Sequence, residues 1–163
     1  MKLNIGCGTE LLDGYVNIDK FPILIRTDKD FRQIDILNIS NYFQANSIDE
    51  IRAHHVFEHF THIEVTVILF KLWMIMKPGG ILSITTPDFY HMIIEQYQET
   101  EDHTFSNMDI FNLKFFSTED ETLHKSVWWE SVGRWYLERE KLFKVKEVIR
   151  PSTIEIQFNA RKL

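Results

Sequence analysis

The chain has 163 residues, 44% of them apolar, 26% charged and 13% aromatic, which suits one domain with a buried core and excludes a disordered or fibrous polymer. Eighteen Lys and Arg stand against 24 Asp and Glu, for a net charge of −6, and a nucleic-acid partner bound by broad phosphate neutralisation is therefore not expected. Cys7 is the single cysteine; it excludes an intramolecular disulfide framework and a Cys-rich zinc module and suits a reducing, cytoplasmic setting.

Short β-branched runs alternate with stretches of helical period, the pattern of an α/β fold with a mostly parallel sheet. Strands are expected at 2–5, 15–18, 34–36 and 48–54. A helix is expected over about 62–76, where Ile63, Val67, Phe70 and Met74 recur at three- and four-residue steps. Within it the apolar stretch 65–76 is broken by Lys71 and falls short of the roughly 20 residues of a bilayer span; no membrane partner is expected. Met1-Lys2 leads into a strand-like run without the pattern of a secretion signal. Lys77-Pro78-Gly79-Gly80 should stop the helix and reverse the chain into a strand at 81–86, since proline cannot continue a helix and glycine tolerates positive φ. Asp88 is placed to cap a short helix reaching about Tyr97. Residues 98–127 carry Phe105, Phe111, Phe115 and Phe116 without clean period, as expected of a lid or acceptor-binding insertion in the single domain 1–163. Acids dominate Glu95 to Glu121, most simply as a solvated face. A helix over 128–142 and a closing hairpin, 144–149 with 153–160, complete the chain.

Leu3-Asn4-Ile5-Gly6-Cys7-Gly8, followed by Asp19 at the end of the second strand, is the most informative stretch. In an open parallel sheet, ligands sit beyond the carboxyl ends of the strands. Glycines after the first strand let backbone N–H groups approach, and an acid ending the second can hold two ribose hydroxyls.

Together with Asp35 in Ile34-Asp35-Ile36, the run Asp49 to His59 and Lys77-Pro78-Gly79-Gly80, these residues resemble the class I S-adenosylmethionine-dependent methyltransferases over nearly the whole chain. The resemblance implies a Rossmann-like sheet of order 3-2-1-4-5-7-6, with the last-numbered strand antiparallel, and S-adenosylmethionine as cofactor. It implies that Gly6, Cys7 and Gly8 approach the methionyl and ribose portions, that Asp19 holds the ribose, and that Asp35 and the Ile36 backbone hold adenine. His54 would line the adenine or methyl pocket. Asn4 stands where the family commonly has an acid that pairs with the methionine ammonium; an amide keeps the acceptor and loses the charge. Only 9–14 separate the glycines from the second strand, too few for the usual crossover helix, so an abbreviated first crossover is expected. Leu11 and Leu12 are candidates to plug the gap, and a homodimer is expected if strand-one apolar residues are left bare.

His55, Glu58 and His59 share one face if 55–59 is helical and match an H-x-x-E-H zinc-hydrolase pattern, for which Glu130 and Glu138 are the available third ligands. A structural role for Glu58 and His59 is the simpler reading, and no metal is assigned. Methyl transfer to a hydroxyl needs a base, for which His55, His59 and His124 are the candidates, with a small-molecule or glycan-type acceptor. The alternative is a non-catalytic cofactor- or partner-binding domain of the same fold.

Overall fold

A computed structural model describes residues 1–23, 28–92 and 124–163. The strands β1 (Lys2–Ile5), β2 (Val16–Asp19), β3 (Phe31–Gln33), β4 (Ile48–His54) and β5 (Met76–Pro87) run parallel to one another. The hairpin β6 (Phe143–Ser152) and β7 (Glu155–Lys162) adds two antiparallel strands. The seven strands lie in the order β3-β2-β1-β4-β5-β7-β6, the order implied by the family resemblance. This is a Rossmann-like, mostly parallel sheet.

Successive side chains of a strand point to opposite faces, and here the two faces differ chemically. On one, Leu3 lies beside Val16 and Ile51, Ile5 beside Ile18 and Ala53, and Ile84 between Ala53 and Phe158. All are buried. The helices α1 (His62–Ile75) and α2 (Glu130–Glu138) pack on this face. Thr61 starts α1 with a reciprocal capping box, its hydroxyl receiving the Glu64 N–H while the Glu64 carboxylate receives the Thr61 N–H. None of the helices among the described residues is long and apolar enough to cross a membrane.

The opposite face is polar. Asn4 lies beside Asn17 and Arg52, Arg52 beside Ser83, and Ser83 beside Asn159. Asn4 Nδ2 donates to Asn17 Oδ1 at 3.0 Å, and Ser83 Oγ donates to Asn159 Oδ1 at 2.9 Å. Among the described residues no α-helix packs here. The short β1–β2 connection covers part of it, the Leu12 N–H donating to Asn17 Oδ1 at 2.8 Å and Asn17 Nδ2 to the Leu12 carbonyl at 3.1 Å. The plug is thus main chain on amides rather than leucine side chains in an apolar gap. The ground for expecting a homodimer falls away as well, because Leu3 and Ile5 face the covered side.

The helix expected over about 62–76 is α1; its recurring Ile63, Val67, Phe70 and Met74 lie on the exposed side, whereas Val65, Ile68, Leu69, Leu72 and Ile75 are buried. Two local readings are corrected. β3 lies at 31–33, because Asp35 accepts the Leu37 N–H at 2.9 Å and turns the chain into a 3-10 segment, Ile36–Asn41. Lys77-Pro78-Gly79-Gly80 makes no separate reversal: β5 begins at Met76 beside Ile48, and the glycines form an irregularity in the β4–β5 pairing, with Gly79 at φ +73°. Asp88 does start a helical turn at 89–92, accepting from the His91 N–H at 3.4 Å. The rest of that helix, most of 98–127 and the four phenylalanines lie outside the described residues.

Candidate functional site

The carboxyl ends of β1, β2 and β4, with the turn after β3, open on one cleft of about 370 Å³, within the range of small-molecule sites. Its walls are Ile5 and Gly6 after β1, Asp19, Lys20 and Phe21 after β2, residues 34–37 after β3, and His55, Val56, His59 and Phe60 after β4. Glu64 of α1 and Lys125 complete it. Gly6 has φ +64°, and a Cβ there would lie 2.3 Å from Val56 Cγ2. Only glycine permits this meeting of the β1 and β4 ends.

Asp19 draws the turns on either side of it toward β2. Its Oδ2 accepts the Gly8 N–H at 2.8 Å and its Oδ1 the Phe21 N–H at 2.9 Å; each carboxylate oxygen keeps a further lone pair for a ligand. Asp35 reaches the same cleft, one oxygen capping Leu37. Cys7 is buried, and burial together with the nearby Asp19 charge pushes its thiol up to about 11, so it stays protonated at neutral pH.

Asn4 and His54 alternate away from this cleft. Asn4 is 1% exposed, donates to the Glu10 carbonyl at 2.8 Å and receives Arg52 Nη1 at 3.3 Å. His54 Nδ1 lies 3.2 Å from Arg52 Nη2, and its Nε2 lies 3.5 Å from Glu155 Oε1. Both belong to the polar face, so of the residues expected around the cofactor, the cleft brings together Gly6, Asp19, Asp35 and Ile36.

After β4 the chain turns at His55, a non-glycine residue at φ +54° whose N–H donates to the Thr85 carbonyl at 2.9 Å. The ring sits between two carboxylates, Nδ1 3.0 Å from Glu58 Oε1 and Nε2 2.7 Å from Glu155 Oε1. The hydrogen bond to Glu58, with that to Glu155, outweighs partial burial and raises its pKa to about 9. The two carboxylates thus favour the imidazolium form at neutral pH.

Residues 57–59 form a 3-10 turn, not the helix on which His55, Glu58 and His59 would share a face. Glu58 is 1% exposed, and among the described residues its Oε2 has no hydrogen-bond partner. The returning chain is fastened to this turn: the Glu58 carbonyl accepts the Lys125 and Ser126 N–H groups at 2.6 and 3.0 Å, and Ser126 Oγ donates to the Phe57 carbonyl at 3.2 Å. His124 is thereby brought edge-on to His59, ring centroids 5.2 Å apart. The zinc-hydrolase reading loses its third ligand, since Glu130 pairs with Arg134 at 3.1 Å and Glu138 accepts the Val145 N–H at 3.0 Å. Trp128 is core, 1% exposed and stacked on Tyr136. Sequence reasoning missed Glu155 and Lys125, for which no local motif exists: tertiary pairing alone brings them to β4 and its turn.

No family model matches the chain, and no curated protein matches it. Solved structures do resemble it. A SAM-dependent methyltransferase from Archaeoglobus fulgidus is 16% identical with TM-score 0.66, over 99% of this chain and 85% of its own. One from Methanosarcina mazei is 18% identical with TM-score 0.63, over 99% and 92%. The N-methyltransferase NodS from Bradyrhizobium japonicum WM9, in complex with S-adenosyl-l-homocysteine, is 15% identical with TM-score 0.59, over 99% and 76%. At these identities the likeness is one of fold.

Proposed function

We propose that this chain transfers a methyl group from S-adenosylmethionine to a small-molecule or glycan-type acceptor. The observation that carries the reading is the convergence of Asp19, Asp35 and Gly6 on one cleft at the carboxyl ends of the strands, where nucleotide-like ligands bind in open α/β sheets.

The cleft fits the nucleoside part of that cofactor. Asp19 would accept from the ribose hydroxyls, Asp35 from the adenine amino group, and the Ile36 backbone would donate to the purine. Cys7 and Gly8, in the turn that Asp19 fastens, would support the methionyl side from behind. Asn4 and His54 lie on the other sheet face, where both meet Arg52. When bound, the cofactor supplies an electrophilic methyl group for in-line displacement, so the protein's part is alignment and exclusion of water. His55, its pKa raised by Glu58 and Glu155, would be a poor base at neutral pH and would instead orient the loop between those two carboxylates. His59, on the cleft wall, and His124 against it are the imidazoles able to take a hydroxyl proton.

A non-catalytic cofactor-binding domain is the second reading, favoured by Asn4: its uncharged amide, engaged by Asn17, Glu10 and Arg52, leaves the methionine ammonium without the usual carboxylate. Calorimetric titration with S-adenosylmethionine and S-adenosylhomocysteine tests what the two readings share; absence of binding by both ligands overturns it. Methyl transfer to a panel of hydroxyl and amine acceptors then separates enzyme from binder.

A further inference from the structure

The geometry points to a divalent transition-metal site formed by Glu58, His59 and His124 beside the cleft. Each residue offers one ligand atom, and the three atoms lie within 4.8 Å of one another. To share one ion, the three atoms would close on it to the roughly 2.0–2.2 Å that zinc requires. The second observation is Glu58 itself. Its carboxylate is almost wholly buried, and among the described residues Oε2 has no hydrogen-bond partner, a state that proteins rarely leave unsatisfied. A cation between Oε2 and the two imidazoles supplies the missing partner.

The surroundings also suit a metal. Glu58 Oε1 is held by His55 Nδ1 at 3.0 Å, the outer hydrogen bond by which a ligating carboxylate is oriented. The main-chain bonds from Lys125 and Ser126 to the Glu58 carbonyl fasten the segment carrying His124 to the turn carrying the other two ligands. One carboxylate and two imidazoles favour zinc and its first-row neighbours over magnesium or calcium, which take oxygen ligands. Since His59 lines the cleft, a fourth coordination position open to the cleft is available for water or a ligand. Ligation occupies the nitrogen lone pairs that proton removal needs, so His59 and His124 either hold an ion or accept a proton, and titration decides between the two.

The inference stands apart from methyl transfer and is tested without S-adenosylmethionine. The full chain is stripped with chelator and titrated with zinc by calorimetry, and with cobalt by visible absorption. One ion per chain is expected, with the intense visible bands of low-coordinate cobalt. His59→Ala and His124→Ala should each weaken binding by at least the roughly 10–100-fold that loss of an outer-shell partner costs. Glu58→Gln should do the same if it folds, as judged by circular dichroism; the two partly exposed histidines keep the test decisive if it does not. Absence of binding, unchanged affinity in both histidine variants, or loss of binding in His54→Ala instead, which would move the ion to the neighbouring group of His54, His55 and Glu155, overturns the site.

Discussion

Glu155 Oε1 on β7 lies 2.7 Å from His55 Nε2, a residue 100 positions earlier in the chain, so the antiparallel hairpin closes the electrostatics of the turn after β4. Glu58 on the other side makes the ring donate from both nitrogens. The raised pKa, about 9 against an ordinary value of 6.5, means that the folded state holds this proton more tightly than the unfolded chain. The stabilisation is therefore complete below about pH 6.5 and is lost as pH rises through about 9. An NMR titration of the imidazole should show a midpoint near 9, falling toward 6.5 in Glu155→Gln. A wild-type midpoint at the ordinary value would remove both the charge and its role in orienting the turn.

Replacing Asp19 separates cofactor binding from fold. Asp19→Ala should weaken S-adenosylhomocysteine binding by about 1–3 kcal/mol, the cost of losing charged hydrogen-bond acceptors. Part of the loss is indirect, because the same carboxylate holds the Gly8 and Phe21 N–H groups; Asp19→Asn, which keeps one carbonyl oxygen, should fall between. A dissociation constant indifferent to both substitutions would show that the ribose does not bind at the end of β2.

Gly133 lets α2 settle directly on β7. A Cβ there would lie 2.1 Å from the nearest atom of the Phe158 ring, and Phe158 is fully buried. Although alanine is the better helix former, Gly133→Ala should destabilise the protein by about 1–3 kcal/mol through overpacking. Chemical denaturation measures it, and a stabilised variant would mean that α2 can lift from the sheet without cost.

The α/β class and the closing hairpin were legible because short β-branched runs, glycines and turn residues agree with one another, whereas the strand order came from the family resemblance. The place of Asp19 at the cleft was legible because the end of β2 is a local feature, whereas Asp35 reaches the cleft as the cap of the segment after β3 and not from the strand expected at 34–36. What escaped was decided by tertiary contacts. Asn4 occupies the motif position of a cofactor residue, yet its face of β1 is fixed by the pleat and filled by Asn17 and Arg52. That His55 lies between Glu58 and Glu155 depends on β7 returning to the turn after β4. His124 gains its neighbours only because main-chain bonds to Glu58 bring its segment back.

The two sides of α1 give the clearest thermodynamic contrast, since both are apolar and only one is packed. Leu72 is fully buried and Ile63 is 78% exposed. Leu72→Ala should cost about 2–5 kcal/mol, combining lost transfer free energy with a residual cavity. Ile63→Ala removes a comparable side chain from water-facing surface and should stay within about 0.5 kcal/mol of wild type. Urea unfolding of the pair at matched m-values reads the difference directly. Equal costs, or a larger loss at Ile63, would place a packed surface over the stripe Ile63, Val67, Phe70 and Met74, and would reverse the orientation of the helix on the sheet.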